Sequence, residues 1–75
     1  MNIGMMWLDV DAKRPLNERV ERAAEYYKTK YGKKPDLCFV NSQTVEEETK
    51  VGKIVVRPVN SIMRYHFWLG RSEPS

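Results

Sequence analysis

Apolar side chains recur at helical spacing in the first half of the chain. The positions are Leu16, Val20, Ala23, Ala24, Tyr27 and Tyr31. At about 100° per residue they fall within roughly a third of a helix circumference, which is the width expected of a helix that packs on a flat surface. Pro15 suits the first position of such a helix, and Gly32 followed by Pro35 suits its end. We therefore predict one amphipathic helix over about residues 15–31.

Short apolar runs on both sides of this helix predict strands. Residues 3–10 are apolar with few interruptions, which is typical of a strand covered on both faces. Residues 37–41 form a second run, and residues 53–59 form a third that is rich in β-branched side chains. Pro58 cannot donate to a ladder, so we expect the third strand to lie at an edge or to end there. The order strand, helix, strand favours a crossover connection that makes the first two strands parallel.

The last apolar segment is aromatic and short. It contains Tyr65, Phe67 and Trp68 and stops at Gly70, so we predict a short terminal strand near Phe67. These three aromatic side chains are also candidate residues of an interaction surface, because they would make an adhesive patch if all were exposed. The alternative is that the segment crosses to a neighbouring subunit and completes its sheet. The polar stretch over residues 43–50 is expected to be a short helical turn or an exposed loop.

Taken together, the elements predict an α+β fold (a two-layer α/β arrangement) of β-α-β-β order, with one amphipathic helix on a small mixed sheet and a short C-terminal strand. Residues 1–70 are expected to form a single domain, and residues 71–75 a disordered tail. One helix covers only one face of such a sheet. Depending on register, the other face would expose part of Trp7, of Cys38 or Phe39, and of Val55 or Val56. An exposed apolar face of this kind usually marks an association surface.

The length of the chain gives a second reason to expect association. A domain of 75 residues buries only about 60% of the surface that its unfolded chain exposes. Cys38 is the only cysteine, which excludes an internal disulfide, and one Cys with one His leaves a zinc site two ligands short. Association with another subunit is the remaining source of stability, so the sequence predicts a homodimer.

The hydropathy and the cysteine content indicate a compartment. No apolar run approaches the roughly 20 residues that span a bilayer. The lone thiol of Cys38 fits a reducing interior better than an oxidising exterior. We therefore expect a soluble, cytoplasmic protein that has no membrane partner.

A basic segment gives the sequence its clearest functional leaning. Residues 13–34 contain eight Lys or Arg and three Glu, a local net charge of +5. Such a surface attracts phosphates, although it is also typical of a solvated helix face. The candidate nucleic-acid-binding residues are Lys28, Lys30, Lys33, Lys34 and Arg64. Nucleic acid is therefore a possible partner, beside the interpretation of the chain as a binding or structural interaction module.

The remaining candidates for chemistry are sparse. Asp9 and Asp11 follow the first strand, where two carboxylates can hold Mg²⁺, so a metal-dependent enzyme is a further alternative. The other interpretation is that they end the strand and favour the positive pole of the helix. His66 has no evident catalytic partner, and burial should raise the pKa of Cys38 and make its thiol inert. The sequence thus predicts no catalytic residue, no cofactor and no bound metal.

Several phrases of the sequence resemble those of a group of short bacterial proteins without an assigned function. These phrases are KRPL at residues 13–16, AAEYY at 23–27, KYG at 30–32, LCFVN at 37–41, VRP at 56–58 and HFWLG at 66–70. The likeness covers most of the chain and implies no activity or ligand. It implies that the closing aromatic segment belongs to the domain itself.

Overall fold

The structure, a computed structural model, describes residues 4–11 and 13–71. Within these residues, five strands and one helix follow one another along the chain. They are β1 (Gly4–Leu8), α1 (Leu16–Tyr31), β2 (Leu37–Val40), β3 (Thr49–Val51), β4 (Ile54–Pro58) and β5 (His66–Gly70). The strands form one mixed sheet in the order β1-β5-β2-β4-β3, and α1 packs on one face of it. The predicted α+β fold is confirmed.

The C-terminal strand lies inside the sheet. β5 is antiparallel to both of its neighbours, β1 and β2. β1 and β2 consequently run in the same direction, as predicted for the crossover through α1, but β5 separates them. On the other side of β2, β4 is parallel to it, and β3 is antiparallel to β4. The aromatic segment that the sequence marked as a last short strand therefore joins the two halves of the sheet.

The helix has the boundaries and the buried stripe that its periodicity predicts. Four of the six predicted positions are buried, and Leu16 and Tyr31 pack against the core from its ends. Gly32 ends the helix in the left-handed region at φ 80°, where its N–H donates to the carbonyl of Lys28 at 2.7 Å. Glycine adopts this conformation without the steric cost of a Cβ, which explains why the helix stops there.

The core lies between α1 and the inward side chains of the strands. These are Met5, Cys38, Val40, Val51, Ile54, Val56, Phe67 and Leu69. They alternate along each strand with residues of the opposite face, as the pleat requires. Burial raises the pKa of the Cys38 thiol to about 12. The expectation that Cys38 is a buried thiol with a raised pKa is confirmed.

Two strand predictions need correction. The expectation that the first strand is covered on both faces is wrong, because no described layer covers the face opposite α1 and Met6 and Leu8 remain exposed. The polar stretch over residues 43–50 was expected to be a turn or a loop, but its end belongs to β3. There Val51 is buried opposite Ile54, and Gly52 makes the tight turn of the hairpin at φ 60°. One inward Val in a charged stretch gives too weak an alternation to be recognised.

The remaining expectations about the chain ends have mixed outcomes. β4 lies between β2 and β3 and ends at Pro58, so the proline ends the strand and does not mark a sheet edge. Arg71, the first residue of the expected tail, donates from its guanidinium to the carbonyl of Lys34 at 2.6 Å. Residues 72–75 lie outside the described residues. None of the described residues belongs to a helix with the length and hydropathy that a bilayer crossing requires.

Candidate functional site

The face of the sheet opposite α1, called the open face here, carries the side chains that alternate with the core. They are those of Met6, Leu8, Leu37, Phe39, Lys50, Val55, Arg57, His66 and Trp68. The register aligns them in rows across the strands. One row consists of Met6, Trp68, Phe39 and Arg57, from β1 to β4. Of the alternatives that the sequence left open, the open face thus exposes Phe39 and Val55, whereas Trp7, Cys38 and Val56 face the helix.

Two aromatic rings occupy the centre of the open face. Phe39 and Trp68 are cross-strand partners on β2 and β5, and their rings stack with 5.2 Å between centroids and 18° between planes. Both side chains are partly exposed. We call this pair the aromatic platform. Near-parallel rings with an offset are a favourable arrangement for aromatic pairs.

Two glycines make room for the platform. Gly4 on β1 and Gly70 on β5 are register partners. A Cβ atom built on either glycine would overlap the indole ring of Trp68. The ring therefore lies directly over the backbones of these two residues, roughly parallel to the sheet. The sequence showed Gly70 only as the end of a strand, and its role as a seat for Trp68 depends on a cross-strand neighbour that no local pattern reveals.

Charged side chains lie beside the platform. Arg57 is the register partner of Phe39, and Lys50 extends from β3 on the same face. Glu48 accepts a hydrogen bond from Nε of Arg57 at 2.6 Å, and both side chains are more than half exposed. His66 lies at the other end of β5, with its Nδ1 2.9 Å from the carbonyl oxygen of Arg64. A proton on Nδ1 lets this ring donate to that carbonyl.

The free edge of β1 combines exposed apolar side chains with outward backbone groups. The N–H of Asp9 donates to the carbonyl of Tyr65 at 2.8 Å, so Asp9 directs its backbone toward β5. Residues of a strand alternate in this respect, so Met5 and Trp7 do the same, whereas Met6 and Leu8 direct N–H and C=O away from the sheet. Met6 and Leu8 are also 52% and 60% exposed. No described strand pairs with this edge.

The structure brings together four of the five predicted nucleic-acid-binding residues. Lys28, Lys30, Lys33 and Lys34 are exposed around the C-terminal end of α1, close to the end of β5. We call them the lysine cluster. Arg64 precedes the first residue of β5, which places it at the opposite end of the sheet. Arg64 therefore does not belong to the lysine cluster.

The predicted aromatic surface is divided between the two sides of the sheet. Phe67 is fully buried under α1 and forms part of the core. Trp68 belongs to the platform on the open face. Tyr65 lies before β5 with an exposed ring and φ 67°, and the guanidinium of Arg64 lies 5.3 Å from its ring centroid. Successive residues of a strand face opposite sides, so the segment serves the core and the open face at once.

Asp9 and Asp11 are occupied by internal contacts. Asp9 is buried, with Oδ2 3.6 Å from Nε of Arg19, and its Oδ1 accepts from the N–H of Asp11 at 2.9 Å. Asp11 forms an ion pair of 2.8 Å with Arg14. These contacts agree with the interpretation that the two residues end the strand. Among the described residues, no group of three or more His, Cys, Asp or Glu is placed to hold a metal ion.

Arg19 is a buried residue that was not predicted. It donates from Nη2 to the carbonyl of Asp9 at 3.0 Å, and its guanidinium lies 5.1 Å from the ring centroid of Phe67. The signal was present in the sequence, because position 19 lies three residues after Leu16 and four before Ala23, within the buried stripe. A charged residue in such a stripe indicates a buried ion pair.

In comparisons with known proteins, no family model, no curated protein and no solved structure matches this chain.

Proposed function

We propose that this protein is a small interaction module that forms a homodimer by pairing the β1 strands of two copies. The proposal rests on one observation: Met6 and Leu8 have exposed apolar side chains, and both direct their backbone N–H and C=O groups away from the sheet. Unpaired N–H and C=O groups along an apolar edge form a template for another strand. A second copy of the chain offers the same template.

The other edge of the sheet supports this choice of surface. β3 has only three residues, and it presents Lys50 among exposed side chains. Short length and charge are common ways of protecting an edge strand from pairing. β1 has five residues, Gly4–Leu8, and contains neither a charged residue nor a proline. The chain therefore protects one edge and leaves the other available.

The pairing that we propose is antiparallel about a two-fold axis. Such an axis makes the interface isologous, so that each contact occurs twice. With Trp7 beside the axis, Met6 of one copy lies opposite Leu8 of the other, and both direct their backbones across the interface. The sheet then continues through both copies, and the exposed Met6 and Leu8 side chains of the two β1 strands become neighbours. This pairing removes apolar surface from water, which stabilises a chain that is too short to bury much of its surface alone.

The sharpest test replaces Leu8 by proline. The N–H of Leu8 points away from β5, so Leu8→Pro leaves the ladder of the monomer intact but removes one hydrogen bond per copy from the dimer. Each neutral hydrogen bond contributes about 0.5–1.5 kcal/mol, so the dissociation constant should rise roughly 5- to 150-fold. Sedimentation equilibrium of the wild type, Leu8→Pro and Leu8→Ala measures this constant. Leu8→Ala is the matched control, because it shortens the side chain and keeps the N–H.

The outcome discriminates between edge pairing and other contacts. A larger effect of Leu8→Pro than of Leu8→Ala, with an unchanged circular dichroism spectrum, supports pairing through β1. Equal effects of the two variants would indicate that only the side chains meet. A wild type that stays monomeric at high micromolar concentration would remove the proposal.

The lysine cluster supports a second candidate function, association with nucleic acid. Its four side chains are exposed at one end of the molecule, where they can neutralise phosphates together. Affinity for a DNA oligonucleotide should then fall steeply with salt. Replacing Lys30, Lys33 and Lys34 by Gln should flatten that dependence. Binding that ignores salt would contradict this candidate.

A further inference from the structure

We propose that the aromatic platform, Phe39 with Trp68, binds a base of single-stranded nucleic acid by stacking. The platform uses side chains on the open face, whereas the proposed homodimer uses the backbone edge of β1 and the lysine cluster surrounds the C-terminal end of α1. It requires neither the homodimer nor the lysines, so it goes beyond both candidate functions above.

The orientation of the rings supports stacking. The indole of Trp68 lies over Gly4 and Gly70, parallel to the sheet, and the ring of Phe39 is inclined to it by only 18°. Two glycines in register are required for this placement, since any larger side chain at either position would overlap the ring. The stack is offset, and both side chains remain partly exposed to solvent. Flat aromatic groups on a sheet stack with bases, because every base has a π-face.

The charges beside the platform favour a nucleic acid over an apolar protein. Arg57 is the register partner of Phe39, and Lys50 lies on the same face one strand further. Arg57 is paired with the exposed carboxylate of Glu48. A phosphate backbone that passes the platform can replace that carboxylate and also contact Lys50, whereas an apolar protein surface would bury these charges at a cost in desolvation. The net charge of +3 for the whole chain favours the same partner.

A single strand fits this arrangement better than a duplex. The faces of bases in a duplex are already stacked on one another, so a protein ring reaches them only where the strand is open. Two rings can stack with one or two bases, and Lys50 and Arg57 lie on the same face, where they can contact phosphates. Such sites tolerate different sequences, because stacking does not read the edges of bases. We therefore expect binding with a preference for strandedness and little preference for sequence.

The test measures fluorescence anisotropy of a labelled single-stranded DNA oligonucleotide at low salt, with the duplex of the same sequence as comparison. The variants are Phe39→Leu, Trp68→Leu, Gly4→Ala, the pair Lys50→Gln with Arg57→Gln, and the triple replacement of Lys30, Lys33 and Lys34 by Gln. Each aromatic replacement should weaken single-strand binding roughly 5- to 150-fold. Gly4→Ala should also weaken it, because the new methyl group displaces the indole while both rings remain in the chain.

The charge variants distinguish this site from the lysine cluster. The pair Lys50→Gln with Arg57→Gln should flatten the salt dependence of binding, and both side chains are exposed, so the fold is not at risk. The triple replacement in the lysine cluster should leave the preference for single strands in place. Loss of binding in the triple variant with full binding in Phe39→Leu and Gly4→Ala would overturn the proposal and favour the lysine cluster. Preference for the duplex, or no binding at low salt, would overturn it as well.

Discussion

The two sides of β5 are built in different ways. On the side that faces α1, Phe67 and Leu69 are completely buried, and the guanidinium of Arg19 lies against Phe67. On the open face, Trp68 keeps part of its ring in solvent and is positioned by a stack with Phe39 and by two glycines beneath it. Burial on the first side contributes to stability in proportion to the surface removed from water. A ring that is only partly covered contributes less to stability, and its exposed part remains available to a partner.

The largest expected effect comes from replacing an aromatic residue of β5 by alanine, once on the covered side and once on the open face. Phe67→Ala removes a fully buried ring and should lower the free energy of unfolding by about 3–5 kcal/mol. Trp68→Ala removes a larger side chain but should cost less, because that ring is partly solvated in the native state. Urea unfolding of both variants at low temperature measures the difference. An equal or larger loss in Trp68→Ala would show that the open face belongs to the core, covered by a second copy.

The polar pair at the end of the covered side should give the next largest effect. Asp9→Asn keeps the acceptor for the N–H of Asp11 but leaves the buried Arg19 without its carboxylate. Breaking one side of a buried pair costs about 3–5 kcal/mol, and the separation of 3.6 Å suggests the lower end of that range. The double variant Asp9→Asn with Arg19→Met removes the unpaired charge and should recover much of the loss. If the double variant is as unstable as Asp9→Asn alone, the pair does not act as a unit.

Much of the covered side could be predicted from the sequence. The helical stripe, its end at Gly32 and the burial of Cys38 follow from local spacing and from the conformations open to each residue. A periodic pattern identifies the apolar face of an element, and α1 has a single apolar face. Arg19 shows the limit of this approach: its position in the stripe indicates burial, but its partner Asp9, ten positions earlier, becomes a neighbour only in the fold.

The open face could not be predicted in the same way. The position of β5 between β1 and β2 decides which side chains become neighbours, and no local pattern encodes strand order. The stack of Phe39 on Trp68 and the seat formed by Gly4 and Gly70 exist only because distant segments pair in this register. The lysine cluster was foreseen because it is contiguous in sequence. Arg64 was a candidate for the same function, but the fold places it at the other end of the sheet.

The same contrast recurs on β2, where Cys38 faces the core and Phe39 faces the open face. The pH dependence of the free energy of unfolding tests whether Cys38 is buried. Burial raises the pKa of the Cys38 thiol from 9.0 to about 12. Between these values the unfolded chain loses this proton and the native protein keeps it. The stabilising effect is therefore complete below pH 9 and is lost as pH rises through that window. The decline should not exceed about 1.4 kcal/mol per pH unit.

Urea unfolding at about pH 8 and about pH 10 measures this decline. Cys38→Ala is the control, because it removes the thiol and keeps Tyr27, whose pKa is also raised by burial. The variant should be less sensitive to pH than the wild type over this interval. Equal sensitivity would mean that the thiol is solvated in the native protein and that the covered side is more open than the structure indicates.

The smallest effect on stability is expected for Glu48→Gln. This variant should change binding while leaving stability nearly unchanged. The ion pair of Glu48 with Arg57 is more than half exposed on both sides, and exposed pairs contribute about 0–1 kcal/mol. Glu48→Gln should therefore leave the free energy of unfolding nearly unchanged. It should, however, tighten the binding of a single-stranded oligonucleotide and steepen its salt dependence, because Arg57 is released from its negatively charged partner. Glu46→Gln, in the polar loop before β3, is the matched control for the change in net charge. The same gain in both variants would show that the open face acts only through the net charge of the protein, and weaker binding in Glu48→Gln would contradict a role of Arg57 in binding.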